Sequence, residues 1–327
     1  MMKRILLITL ALLMLVPLFA ACQSYDDELA INVWVLNGTT GFGIAPLIED
    51  QKTGNTALNY SFTVEIDAAN VQSALVNGTA DIAALPTNAA SVLYNKTGGE
   101  IVVLALNTRG VLYLVANTAN VTAPTTLTDL AGKTVYVPQQ NPTFVTKALL
   151  DKAQVAGVTL DNQTYKEPAA LRDAVAAGFV DYAILPEPMV TIALSKAKQA
   201  NAGVSLTVAL DLTKEWESAF GSDSLVQGCI VARKAFVEEH PEEIKKFLEE
   251  YEASITYVME NPAEASEKIA ASGVFAQAAV AEKAIPKCNL CFVTGSEMKS
   301  ALQEFLATLP AASIGGTLPA DDFYFGA

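Results

Sequence analysis

Histidine is almost missing from this chain of 327 residues: His240 stands alone. Without a second imidazole a His-rich metal site has no ligands, and a Ser-His-Asp or Cys-His catalytic arrangement has one residue to draw on. Much hydrolytic chemistry goes with it, and no metal or cofactor is expected. Basic residues are scarce as well. Lys and Arg total 21 against 35 Asp and Glu, a formal charge of −14, so a sequence-independent grip on a phosphate backbone fails and no nucleic-acid partner is expected. With 51% apolar residues the chain is too apolar to be disordered, and its length exceeds that of a small stapled domain. One large or two ordinary domains remain.

The one long apolar run lies at the start. Lys3 and Arg4 precede residues 5–19, which are apolar except for Thr9 and Pro17, and Ala20-Ala21-Cys22 follows. This is the pattern of a secretory signal segment, too short and too close to a small-residue cleavage site for a comfortable membrane span. A Cys directly after two alanines resembles the bacterial lipobox, with Phe19 where Leu is usual. Residues 1–21 are therefore expected to be a signal peptide, Cys22 the lipidated first residue, and 22–30 a lipid-anchored linker. The protein would sit outside the cytoplasm on a bacterial cell membrane, and an ordinary cleaved signal is the alternative. Three further cysteines, Cys229, Cys288 and Cys291, are too few for a zinc site with only His240 to help. They are either free buried thiols or contain a disulfide, within the Cys288/Cys291 pair or to Cys229.

The chain repeats itself. Gly78-x-x-Asp81-x-Ala83-x-Leu85-Pro86 returns a hundred residues later as Gly178-x-x-Asp181-x-Ala183-x-Leu185-Pro186. A weaker echo pairs Val33-Trp34-Val35 and Phe42 with Val135-Tyr136-Val137 and Phe144, in the same order. Each copy reads as strand, polar loop, helix. Residues 31–36 form a β-branched and aromatic strand, 37–41 a loop, and Phe42 onward a helix that Thr39 or Thr40 would cap. In the second half 134–137 is the strand, and Asn141 caps a helix with Pro142 at its first position, running to about residue 153. Helices over 71–77 and 169–177, each closed by a Gly, lead into buried strands over 82–85 and 182–185. This alternation predicts an α/β protein of two lobes, each a mostly parallel sheet flanked by helices.

A parallel sheet binds its ligand outside the carboxyl ends of its strands, where helix N-termini and loop amides gather. Two such lobes are expected to hold a ligand in a cleft between them; the alternative is that the loops are merely polar connections and the duplication records only fold history. Residues 107–110 interrupt a strand run and form a candidate hinge, with a return to the first lobe over 225–233. The lobes are expected at 31–112 plus 230–327 and at 113–229, joined by a hinge of two crossovers. Arg109 could clamp an anion bidentately or pair with a neighbouring acid. Glu187 could bind a cationic group or sit in the first turn of its helix. Trp34 is expected in the core, and Trp216 as a ligand-stacking platform.

The duplicated motif, Asp129-Leu130-Ala-Gly132-Lys133-Thr-Val-Tyr136, His240-Pro241-Glu-Glu, and the tail from Ser313 to Tyr324 together resemble the substrate-binding lipoproteins of ABC importers. The branch is the one with nitrate, sulfonate, taurine and thiamine-precursor binders. The resemblance implies a type II periplasmic-binding-protein fold, a monomer that closes on a small polar or anionic organic solute of the sulfonate, nitrate or pyrimidine type and hands it to ABC permease subunits. It places the ligand site on loop residues: Thr39, Thr40 and Gly41; Thr87 and Asn88; Thr108 and Arg109; Gln139, Asn141 and Thr143; and Glu187, with Trp216 beside them. No catalytic residue is implied. A ligand sensor without transport and an enzyme on the same fold are the other readings.

Overall fold

The computed structural model describes residues 25–200 and 203–327. The expected signal peptide and Cys22 lie outside them. The chain begins with β1 (Ala30–Leu36), the short helix α1 (Thr39–Phe42), α2 (Ala45–Lys52) and β2 (Asn59–Glu65). Then come α3 (Ala68–Asn77), β3 (Ile82–Pro86), α4 (Thr87–Thr97) and β4 (Ile101–Arg109). A second series follows with β5 (Leu112–Asn117), β6 (Thr134–Tyr136), α5 (Asn141–Lys152), β7 (Thr159–Asp161), α6 (Pro168–Ala176), β8 (Tyr182–Pro186), α7 (Met189–Ala200), β9 (Leu206–Asp211) and α8 (Leu212–Phe220). β10 (Val226–Arg233) precedes α9 (Lys234–Glu239), α10 (Pro241–Glu260), α11 (Pro262–Ala271), α12 (Ala278–Ala284), β11 (Leu290–Val293) and α13 (Gly295–Thr308).

Two sheets result, in the orders β11-β4-β10-β3-β1-β2 and β7-β6-β8-β5-β9. In each, three parallel strands (β2-β1-β3 and β7-β6-β8) are followed by one antiparallel strand, β10 or β5. The duplicated motif therefore occupies the same place in both sheets. β3 and β8 are each buried along four successive residues, as strands covered by helices on both faces must be. Gly78 and Gly178 take φ of 79° and 81° after α3 and α6, a left-handed turn that side chains with a Cβ resist.

The Asp of the repeat has a structural task. Asp81 is 6% exposed; its Oδ2 accepts from the Asn32 backbone N–H at 2.9 Å and from Asn32 Nδ2 at 3.0 Å, while Oδ1 accepts from Arg233 Nη2. One carboxylate thus ties β1, the α3–β3 turn and β10 together. The residues expected to break a strand at 107–110 instead extend it. β4 runs through Arg109 because Asn107 and Thr108 are buried against β10, and the chain leaves the sheet only at Gly110–Val111. The return crossing lies between α8 and Val226, so residues 226–229, expected in the second lobe, already belong to the first sheet.

The C-terminal tail straps α4. Ser91 Oγ and Asn95 Nδ2 donate to the Ile314 carbonyl, each at 2.8 Å, and the Tyr94 hydroxyl donates to Asp322 Oδ1 at 2.6 Å. Replacing Asp81 with Ala should strand the part-buried Arg233 guanidinium and two Asn32 donors. We expect a loss of about 3 kcal/mol of unfolding free energy, read from urea denaturation.

Candidate functional site

The carboxyl ends of the two sheets face each other across a cavity of about 670 Å³. One wall consists of Ile66 to Ala69 at the start of α3, Gln72 one turn on, and Pro86, Asn88 and Ala89 at the start of α4. The opposite wall is Gln140, Asn141 and Pro142 at the start of α5, with Glu167 at the start of α6. An adjoining cavity of about 290 Å³ shares Gln72, Asn88, Ala89 and Gln140 and extends to Phe144 and to Ser313 of the tail. Four helices of 9 to 12 residues thus point their N-termini into one space, where orphan N–H groups and the positive dipole ends suit polar oxygens.

Asn141 differs from its expected place. The helix start is set by Gln140, so Asn141 is the first helical residue and Pro142 the second, and no side chain caps α5. Freed from capping, Asn141 is 7% exposed and its Oδ1 has no hydrogen-bond partner among the described residues. Asn88 shares the cavity and is 5% exposed; its Nδ2 reaches the Ser313 carbonyl only at 3.5 Å.

The other expected contacts are spent elsewhere. Thr87 is fully buried and donates to the Val226 carbonyl at 2.7 Å. Thr108 Oγ1 donates to Asn107 Oδ1, and Asn107 Nδ2 donates to the Thr40 carbonyl, a brace holding α1. Neither Thr39 nor Thr40 caps α1, whose leading residue is Gly38. Gly41 is packed so closely that a Cβ would collide with the Leu36 carbonyl. Gln139 is half-buried, its backbone N–H bonded to the Lys166 carbonyl, and Thr143 Oγ1 donates to the Pro138 carbonyl at 2.7 Å.

Arg109 takes the blander of its two readings: its guanidinium pairs with Asp223 at 2.9 Å and Glu297 at 3.7 Å and donates to the Asp223 carbonyl. Trp216 is overturned as a stacking platform. It is wholly buried, its rings 4.3 Å from Phe220 and 5.7 Å from Phe305 between centroids, with Nε1 donating to Ser224 Oγ. Leu212, Trp216 and Phe220 recur every four residues, so the apolar face of α8 turns inward despite its polar neighbours.

Glu187 does not line the cavity and belongs to a contact between the two lobes. Thr39 Oγ1 donates to the Glu187 carbonyl at 2.8 Å, and the Tyr113 hydroxyl donates to the Lys287 carbonyl at 2.8 Å. The Glu187 carboxylate is 2% exposed, accepts from the Thr191 N–H and hydroxyl, and lies 3.8 Å from Lys287 Nζ. Burial raises its pKa, and the Thr191 bonds and Lys287 offset this only in part. Cys229, Cys288 and Cys291 are free and buried, which settles the disulfide alternative; burial pushes the Cys291 thiol up to about 12, far from a reactive thiolate.

The sequence model of "NMT1/THI5 like" proteins matches residues 63–265, more than half of the chain. The chain belongs to the NMT1/THI5-like family. Among solved structures it is similar to an ABC transporter protein from Parabacteroides distasonis, at 25% identity over 91% of this chain and 99% of that one, TM-score 0.75. It shares its fold with the ligand-binding component of an ABC-type import system from Staphylococcus aureus, at 14% identity over 91% and 96% of the two chains, TM-score 0.68. The periplasmic aliphatic sulphonate-binding protein of Escherichia coli has it too, at 14% identity over 85% of each chain, TM-score 0.65. No curated protein gave a significant match. The two lobes expected from the duplication, and the periplasmic-binding-protein architecture that the resemblance implied, are thus the ones found, and no helix among the described residues is long and apolar enough to cross a membrane.

Gln140, Gln72, Asp67 and Glu167 line this NMT1/THI5-like cleft without having been singled out. For Gln140 a signal existed: the repeat sets it against Gly38, each the residue before a helix.

Two outcomes follow for residues that are not on the cleft. Because burial raises the folded pKa of Glu187 above its unfolded value, its neutral carboxyl favours the fold below about pH 4, and that contribution is lost as pH rises through the raised pKa. Glu187→Gln should therefore melt above wild type at pH 7, with the gap closing toward pH 4, as differential scanning calorimetry would show. Trp216→Ala should cost about 3–5 kcal/mol of stability, measured by urea unfolding.

Proposed function

We infer that the chain is the extracytoplasmic substrate-binding component of an ABC importer, capturing a small polar solute between its lobes and delivering it to the permease. The observation that carries this reading is the cavity itself. It opens at the carboxyl ends of both sheets and receives helix N-termini from each, and the two lobes are joined by two crossings, after β4 and before β10, that can bend as a hinge. Solute bridging the two walls would favour the closed population. The lobes are the two sheets with their helices, residues 30–109 plus 226–327 and residues 112–220, with the crossings between them. Membrane attachment through lipid on Cys22, a monomeric state and the absence of a catalytic role complete the proposal. The family membership and the similarity to import-system binding proteins support it.

Thermal unfolding of the full chain against sulfonates, nitrate, amino acids and pyrimidines tests it. A saturable rise in Tm with one class is expected, since binding stabilises the native state by mass action. Asn141→Ala should abolish that rise without lowering the unliganded Tm, since the side chain it removes carries an unpartnered buried oxygen. A flat response across all classes would contradict a binding role.

A further inference from the structure

The cleft's walls carry information about the charge of what it holds. Four carboxamide side chains line it: Gln72, Asn88, Gln140 and Asn141. Its charged lining residues, among those described, are both carboxylates, Asp67 and Glu167, and none is Lys or Arg. Lys166 turns its backbone carbonyl to Gln139 and does not line the cavity. The cation of the expected site, Arg109, is already compensated by Asp223 and Glu297. Asp67 is already engaged with α3, its Oδ1 accepting from the Ala69 N–H at 2.8 Å, and with about half a positive charge at each of the four helix N-termini the two carboxylates are offset and the walls are close to neutral. A bound oxyanion would lose its hydration without gaining a cation.

Asn141 adds a donor requirement. Its buried Oδ1 has no partner, a deficit of about 1–3 kcal/mol that a ligand N–H would remove. Beside it, Gln140 has φ 68° and ψ −138°, backbone geometry that costs a residue with a Cβ about 1–3 kcal/mol. At the duplicate position the chain uses Gly38, with φ 105° and ψ −157°, which adopts that region freely. The second lobe thus keeps a strained glutamine where the first uses glycine, and that glutamine's side chain stands at the cleft.

The geometry points to an uncharged ligand that presents an N–H donor to Asn141 and further polar groups to the carboxamides around it. This rests on the cleft being the binding site. Oxyanions are not its preferred occupants.

Matched pairs separate the possibilities: nicotinamide against nicotinate, and methanesulfonamide against methanesulfonate, titrated into the full chain by ligand-observed NMR. The amide of at least one pair should bind about tenfold or more tightly than its acid. Asn141→Ala should weaken that amide about tenfold. Gln140→Gly should raise the unliganded Tm and weaken the amide as well, a combination that relief of backbone strain alone would not give. If an acid binds as tightly as its amide or more so and Asn141→Ala removes it, the cleft binds anions; the charge inference falls and the binding role stands. If no member of either pair binds wild type, both the inference and the cleft as its site are overturned.

Discussion

Each sheet is completed by an antiparallel strand that arrives directly from the other sheet, and the architecture depends on that exchange. β5 follows β4 and inserts between β8 and β9; β10 follows the β9–α8 unit and inserts between β3 and β4. Because these strands are paired on both sides and buried, neither lobe can shed its partner's contribution without opening its own core. Among the described residues the chain crosses between the sheets at two places. Two short crossings allow rotation of one lobe on the other while the sheets stay intact, which is the mechanical requirement for a solute trap.

The same exchange decides where polar groups go. Residues near the crossings are drawn into strands and braces: Arg109 into β4, Asn107 and Thr108 beneath α1, and Glu187 into the contact with Thr39 and Lys287. Polar side chains farther out, at the starts of α3 to α6, are left to face the cavity. A division of labour follows, with one polar set holding the lobes in register and another, dominated by carboxamides, available to a ligand. The buried hydroxyls and amides of the first set are satisfied internally, as burial demands, whereas Asn141 in the second is not.

The duplication made the fold legible. Once Gly78 to Pro86 and Gly178 to Pro186 are aligned, the equivalent positions of β3 and β8 and the facing carboxyl ends follow from the rules for parallel sheets. The site was harder to read, because a polar loop residue before a helix has the same local signature whether it braces backbone or faces solvent. Thr87 and Asn88 are adjacent in sequence, yet one is bonded to Val226 and the other lines the cavity. For Trp216 the neighbours Lys214, Glu215 and Glu217 obscured a regular apolar face shared with Leu212 and Phe220. At Arg109 the sequence carries no mark of the acids 114 residues and more away that neutralise it.

If the space between the four helix starts is where a solute is held, filling it must abolish capture. Ala89 lines both adjoining cavities from the third position of α4, so Ala89→Trp would fill that space without altering the backbone. The full chain and this variant, each dialysed against concentrated culture medium, can be compared by native mass spectrometry. The account predicts a small-molecule adduct on wild type that the plugged variant lacks. An identical adduct on both proteins, or none on wild type, would contradict it.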